Sequence, residues 1–180
     1  MNLPNKITTM RLILIPVFIV SFLFLGLKSW IPAAIFIIAS LTDFLDGYIA
    51  RRDHLVTTFG KFLDPLADKM LTQAAFIMLV EAGRISGWMV VLIVCRELLI
   101  TGFRTIAVSR GVTIAASKWG KYKTVFQMAS IVCFLTQEAL FPNLGIPVAE
   151  ILLNFALFFT LWSAIDYIVK NRSVLDLSNI

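Results

Sequence analysis

Four aspartates stand at fixed intervals in two otherwise apolar segments: Asp43-Phe44-Leu45-Asp46-Gly47-Tyr48-Ile49-Ala50-Arg51 and Gly60-Lys61-Phe62-Leu63-Asp64-Pro65-Leu66-Ala67-Asp68. A carboxylate in lipid is costly and normally faces a protein interior or a watery cavity with a partner. Four groups of one sign cannot neutralise one another, so a cation must sit among them. At about 100° per residue, Asp43, Asp46, Gly47 and Ala50 share one helical face with Arg51 at its edge. Gly60, Asp64 and Asp68 form a second stripe at i, i+4 and i+8. Folding the two segments as an antiparallel hairpin about residue 55 or 56 sets Asp46 level with Asp64 and Asp43 level with Asp68. The four carboxylates then converge on one small volume, on the order of 12 Å below the polar helix ends.

Ligation by carboxylates alone suits Mg²⁺ or Mn²⁺ better than zinc or copper. Four of them suffice for two ions that share ligands, the usual device for phosphoryl displacement. Gly47 and Gly60 clear side chains from places where a bulky ligand needs close backbone approach. The competing reading is a set of structural ion pairs with Arg51, Arg52, Lys61 and Lys69. That accounts for one or two of the aspartates but not for their common focus.

The elements that must position these groups are membrane helices. The chain has 180 residues, 59% of them hydrophobic and 15% charged, with a mean hydropathy of +0.88. A soluble domain carries about 25% charge. Six apolar stretches follow one another, near Leu12–Leu27, Trp30–Ala50, Gly60–Val80, Trp88–Val108, Trp119–Leu140 and Pro147–Val169. Each approaches the roughly 20 residues that cross a bilayer as a helix. The expectation is an all-α integral-membrane fold: one domain over residues 1–180, a six-transmembrane-helix bundle with a cytoplasm-facing polar cavity. The first stretch lacks a small-residue cleavage site and follows the polar run Asn5–Arg11, so it reads as a retained span.

An even number of spans puts both termini on one face. That face receives Lys6, Arg11, Arg51, Arg52, Lys61, Lys69, Arg104, Arg110, Lys118, Lys121, Lys123, Lys170 and Arg172, whereas the opposite loops carry only Lys28 and Arg84. The basic side is therefore expected in the cytoplasm, and the net charge of +5 is concentrated where anionic headgroups and phosphorylated metabolites meet it. Cys95 and Cys133 lie within apolar stretches without metal-ligand spacing and read as small buried hydrophobes. Asp53 and His54, in the short second connection, read as solvated surface.

A second cluster, Arg96, Arg104, Arg110, Lys118, Lys121 and Lys123, comes from the fourth stretch, the following connection and the start of the fifth. Arg96 sits inside an apolar span, where an anionic ligand would relieve an unpaired cation. Guanidinium suits phosphate bidentately, so the cluster reads as a pocket for a phosphorylated acceptor. The alternatives are juxtamembrane charge for orientation and lipid contact, which covers Lys170, Arg172 and Lys121, and pairing of Arg96 with Glu97 or Asp166.

The pattern D-x2-D-G-x2-A-R-x8-G-x3-D-x3-D is met at every position from Asp43 to Asp68. It resembles the signature of the CDP-alcohol phosphotransferases, which join an alcohol to the phosphatidyl group of a cytidine diphosphate lipid. The segments Asn2-Leu3-Pro4-Asn5-Lys6-Ile7-Thr8 and Cys95-Arg96-Glu97 through Lys118-Trp119-Gly120-Lys121-Tyr122-Lys123-Thr124 are similar to members that use glycerol 3-phosphate. The resemblance implies that Asp43, Asp46, Asp64 and Asp68 hold two divalent cations, and that Asp68 is also the general base. It implies that Gly47, Ala50, Arg51 and Gly60 hold the cytidine and diphosphate together with Asp43, Asp46 and Asp64. CDP-diacylglycerol and glycerol 3-phosphate are the implied substrates, and a homodimer in the cell membrane the implied state. Inositol phosphate also fits the basic cluster, whereas serine or choline would not require it. A divalent-cation transporter is a different class of reading, but the outer halves of the spans offer almost no polar path.

Overall fold

The computed structural model describes residues 3–52, 58–109, 117–140 and 147–170, and side chains within 9–42, 69–108, 117–140 and 147–170. Six helices account for nearly all of these: α1 Leu3–Leu25, α2 Ile31–Arg52, α3 Thr58–Glu81, α4 Gly87–Ser109, α5 Lys118–Leu140 and α6 Val148–Lys170. The expected helix count is met. One boundary differs: the polar run before the first apolar stretch is itself helical, so α1 begins at Leu3. The first turns of a membrane helix can be polar, because only its apolar middle must lie in hydrocarbon.

Turn chemistry sets the ends. Gly26 adopts φ +62 and Gly83 φ +69, a left-handed conformation that a Cβ disfavours. At Gly26 the N–H donates to the Phe22 carbonyl at 2.8 Å and closes α1. After α3, the Gly83 N–H donates to the Val80 carbonyl and the Arg84 N–H to the Leu79 carbonyl, both at 2.9 Å. These are the paired bonds of a Schellman cap. Ser117 caps α5 by accepting the Gly120 N–H at 3.2 Å. In α6, Glu150 in the first turn and Lys170 in the last complement the helix dipole.

The chain divides into two compact units, and the division runs through α5. In the first, α1, α2 and α3 pack against one another. Phe18 of α1 meets Phe36 of α2 with ring centroids 6.0 Å apart, and Phe76 and Leu79 of α3 and Ile131, Phe134 and Leu135 of α5 are buried. In the second unit α4 packs on α6. Here α5 and α6 are joined by rings rather than by close backbones: Phe126 stacks on Phe159 with centroids 5.3 Å apart, and Trp119 stacks on the same ring at 6.0 Å.

The surface of the described residues carries many large apolar side chains. Phe24, Leu98, Val91, Phe158, Ile165 and Val169 are among many exposed large hydrophobic side chains. A water-soluble monomer rarely exposes so large an apolar area. Among the described residues, Val148–Lys170 is long and apolar enough to cross a membrane by length and composition, with shorter apolar runs at Thr9–Leu25 and Ile31–Thr42. α4 carries charge into its apolar stretch with Arg96, Glu97 and Arg104. The cysteine expectation is corrected. Cys95 is exposed and Cys133 half-buried, both as free thiols; a small thiol is tolerated on an apolar outer face.

Candidate active site

Each helix of the first unit buries one stripe, and the stripes share a polarity gradient. On α1 the stripe is Arg11, Ile15, Phe18 and Phe22, with Arg11 wholly buried. On α2 it is Ala33, Phe36 and Ala39, and on α3 Leu71, Ala75, Met78 and Leu79. Continued at helical spacing, the α2 stripe runs through positions 43 and 47 with 46 at its margin, and the α3 stripe runs back through 68 and 64. The packed apolar end of this unit thus leads, helix by helix, towards the aspartate positions.

Asp43, Asp46, Gly47, Ala50 and Arg51 lie on α2 and Gly60, Asp64 and Asp68 on α3; their side chains lie outside the described residues. Among the described residues no group of three or more His, Cys, Asp or Glu side chains could hold a metal ion. The donor chemistry of the aspartates fits a hard divalent cation, since every ligand they offer is a carboxylate oxygen.

The second unit contains most of the basic cluster. Arg96 Nη1 donates to Glu97 Oε1 at 3.2 Å, and Arg96 Nη2 donates to Ser163 Oγ of α6 at 2.9 Å. Lys123 Nζ, from α5, donates to the same Glu97 Oε1. Glu97 and Lys123 are both buried. Gly120 leaves room beside them: a Cβ built there would come within 3.9 Å of Arg96 Nη2. Two cations therefore share one carboxylate oxygen in this buried cluster.

Of the two partners expected for Arg96, Glu97 is the one found, while Asp166 pairs instead with Lys170 at 2.7 Å, one helical turn away. Arg104 lies elsewhere on α4. It is exposed, with its guanidinium carbon 5.8 Å from the Tyr167 ring centroid. Lys118 opens α5 and is exposed, and Arg110 lies outside the described residues. Arg84, one of the two basic residues expected on the outer side, pairs with Glu138.

Sequence reasoning missed Ser163, a small hydroxyl that reads as nothing more than a helix-compatible residue. It also assigns Arg11 to the membrane edge, whereas the structure buries it. The available signal was spacing: Arg11, Ile15, Phe18 and Phe22 recur at i, i+4, i+7 and i+11, which places the arginine on the core stripe.

Comparison with known proteins joins these observations. Residues 1–162 match the family described as CDP-alcohol phosphatidyltransferase. The chain is 42% identical to the CDP-diacylglycerol–glycerol-3-phosphate 3-phosphatidyltransferase of Bacillus subtilis (strain 168), covering 99% of each chain. It is 39% identical to the protein of the same name from Haemophilus influenzae, covering 97% of this chain and 96% of that one. The protein of that name from Rickettsia felis is 39% identical over 92% of this chain and 93% of its own. A match of this length, on a chain that meets the aspartate pattern at every position, identifies a membrane-embedded enzyme: the chain belongs to the CDP-alcohol phosphatidyltransferase family.

Proposed function

We propose that this chain transfers the phosphatidyl group of CDP-diacylglycerol to sn-glycerol 3-phosphate, giving phosphatidylglycerol phosphate and CMP. The observation that carries this reading is near-full-length similarity to three proteins named for that reaction. The acceptor hydroxyl forms a new bond to the lipid-proximal phosphorus while the bond from that phosphorus to the CMP oxygen breaks. Asp68 takes the hydroxyl proton, and the electron pair of the broken bond leaves with CMP.

Asp43, Asp46, Asp64 and Asp68 would hold two divalent cations, magnesium or manganese. When bound, these supply Lewis-acid polarisation of the diphosphate. Gly47, Ala50 and Gly60 leave space for the cytidine and diphosphate, and Arg51 offers a guanidinium fork to a phosphate oxygen. Arg110 and Lys118 engage the phosphate of the acceptor. Arg96 and Lys123 are tied to Glu97, so they act as parts of a fixed cluster rather than as two independent cations. Arg104 supplies a further cation on the same helix.

The helices form one membrane domain, with all six spanning the bilayer and with both termini and the site in the cytoplasm, where the basic residues concentrate. Acyl chains lie against the exposed apolar helix faces while glycerol 3-phosphate and CMP use the aqueous side. The family resemblance supports a homodimer.

The test is acceptor choice. Purified protein with CDP-diacylglycerol and Mg²⁺ or Mn²⁺ is offered glycerol 3-phosphate, inositol phosphate or serine, and CMP release is followed. Release that depends on glycerol 3-phosphate is the expected result. Release with inositol phosphate alone would keep the chemistry and replace the acceptor, and no release with any of the three would overturn the reading.

A further inference from the structure

The serine that α6 brings to the basic cluster has a bonding pattern of its own. Ser163 is wholly buried, and its hydroxyl donates to the Thr160 carbonyl of the same helix at 3.0 Å. A hydroxyl has one hydrogen and two lone pairs. With the hydrogen engaged on its own helix, Ser163 Oγ can only accept, and it accepts Arg96 Nη2 at 2.9 Å. Arg96 Nη1 donates to its neighbour Glu97 at 3.2 Å, while Arg96 Nε is buried with no hydrogen-bond acceptor among the described residues. The guanidinium is therefore held at its two Nη ends, and Ser163 is the hold that comes from another helix.

Beyond the guanidinium stands the start of α5. A Cβ built on Gly120 would lie 3.9 Å from Arg96 Nη2 and 3.8 Å from Ser117 Oγ, both ordinary contact distances. The Gly120 N–H donates to the same Ser117 oxygen at 3.2 Å. Gly120 thus lies between the cap of α5 and the held arginine, and Lys118 stands inside that cap. We infer that Ser163 is a positioning residue for the acceptor pocket: through Arg96 it fixes the first turn of α5, from which Lys118 engages the acceptor phosphate. This rests on the substrate reading above. Without the serine oxygen, Arg96 keeps one hold of two and the turn beside it loses a fixed neighbour. A cation that must be ordered at the moment of binding binds more weakly, so the loss falls on the phosphorylated acceptor.

The experiment follows CMP release by the full-length protein in detergent, with Mn²⁺, for wild type, Ser163→Ala, Arg96→Gln and the double variant. Alanine suits the helix and offers no side-chain oxygen. Ser163→Ala is expected to raise the KM for glycerol 3-phosphate about fivefold, the signature of a lost binding interaction. Turnover, the KM for CDP-diacylglycerol and the half-saturating Mn²⁺ concentration are expected to stay within about twofold. The inhibition constant of inorganic phosphate, a probe of the acceptor's anion alone, rises in parallel. In the Arg96→Gln background, Ser163→Ala is expected to add less than about twofold, because residues of one network are not additive. An unchanged acceptor KM in Ser163→Ala would overturn the inference, and so would a loss shared equally by both substrates, which a merely structural serine gives. The full effect persisting in the Arg96→Gln background would also overturn it, since Ser163 would then act by another route. If Arg96→Gln is inactive, the split between the two KM values decides alone. If Ser163→Ala does not fold, Ser163→Cys replaces it, since a thiol of similar shape is a weak acceptor. A wild-type protein that releases no CMP with glycerol 3-phosphate would instead remove the substrate reading, and this inference with it.

Discussion

Lys123 of α5 reaches Glu97 of α4 in the buried interior of the second unit, and it donates to the same carboxylate oxygen that receives Arg96. That sharing makes the three side chains unequal. Removing either cation leaves Glu97 still bonded to the other. Removing the carboxylate takes from both cations the acceptor they share, which is the costlier change for a buried charge cluster.

The order of stabilities follows. Glu97→Gln is expected to destabilise by on the order of 3–5 kcal/mol, the usual result of stripping a buried charge of its partner. Lys123→Met or Arg96→Gln is expected to cost about 1.5–3 kcal/mol, the worth of a hydrogen bond to a charged group. Thermal midpoints in one detergent measure this directly. A Lys123→Met protein less stable than Glu97→Gln would show that the cluster is not organised around the carboxylate.

How much of the molecule is legible in its sequence depends on the kind of signal. Six helices and their order are readable, because an apolar run of about 20 residues is long enough to cross a bilayer and too long for an ordinary strand. The aspartate pattern is readable because spacing survives in sequence. Sharing of Glu97 by Arg96 and Lys123 is not, since 26 residues separate Glu97 from Lys123 and no periodicity relates positions on different helices. Burial of Arg11 is half legible: its stripe spacing is present, but a charge next to a polar run looks like an interface residue until packing is seen. The outward position of Cys95 is hidden for a related reason. In a membrane protein apolar residues face both ways, so hydrophobicity alone does not separate core from surface.

If Asp68 is the general base, its substitution should strike chemistry rather than binding. Asp68→Asn is expected to lower kcat by roughly 10²–10⁴-fold, the range that a positioned base contributes. Cytidine diphosphate binding should remain largely intact. Wild-type turnover in this variant would assign the proton to another group.

A pocket for the acceptor phosphate makes a different demand on kinetics. Arg110→Ala is expected to raise the KM for glycerol 3-phosphate by about tenfold, equivalent to about 1.4 kcal/mol of binding. The KM for CDP-diacylglycerol should change less. An unchanged acceptor KM would dismiss Arg110 from the pocket.

Chelation tests the donor chemistry. Protein stripped of divalent cations is expected to lose turnover and to regain it with Mg²⁺ or Mn²⁺, because an all-carboxylate set favours hard ions with oxygen ligands. Soft thiophilic ions should not restore it. Undiminished turnover in the stripped protein would rule out the proposed role of the aspartates.

The helix caps give a prediction that separates backbone strain from packing. Gly83 has φ +69, and a Cβ built on it meets nothing within 4 Å. Gly83→Ala therefore tests conformation alone, and a left-handed alanine is expected to cost about 1–2 kcal/mol. Gly102 also has open space around a built Cβ, but it lies inside α4 without a positive φ. There the substitution relieves backbone entropy, and Gly102→Ala is expected to stabilise by about 0.5–1 kcal/mol. The two alanines add the same methyl group to equally empty places, so their opposite signs isolate the dihedral angle as the cause. Thermal midpoints of both variants in one detergent decide the matter: a neutral or stabilising Gly83→Ala would mean that the Schellman cap closing α3 does not hold the end of that helix.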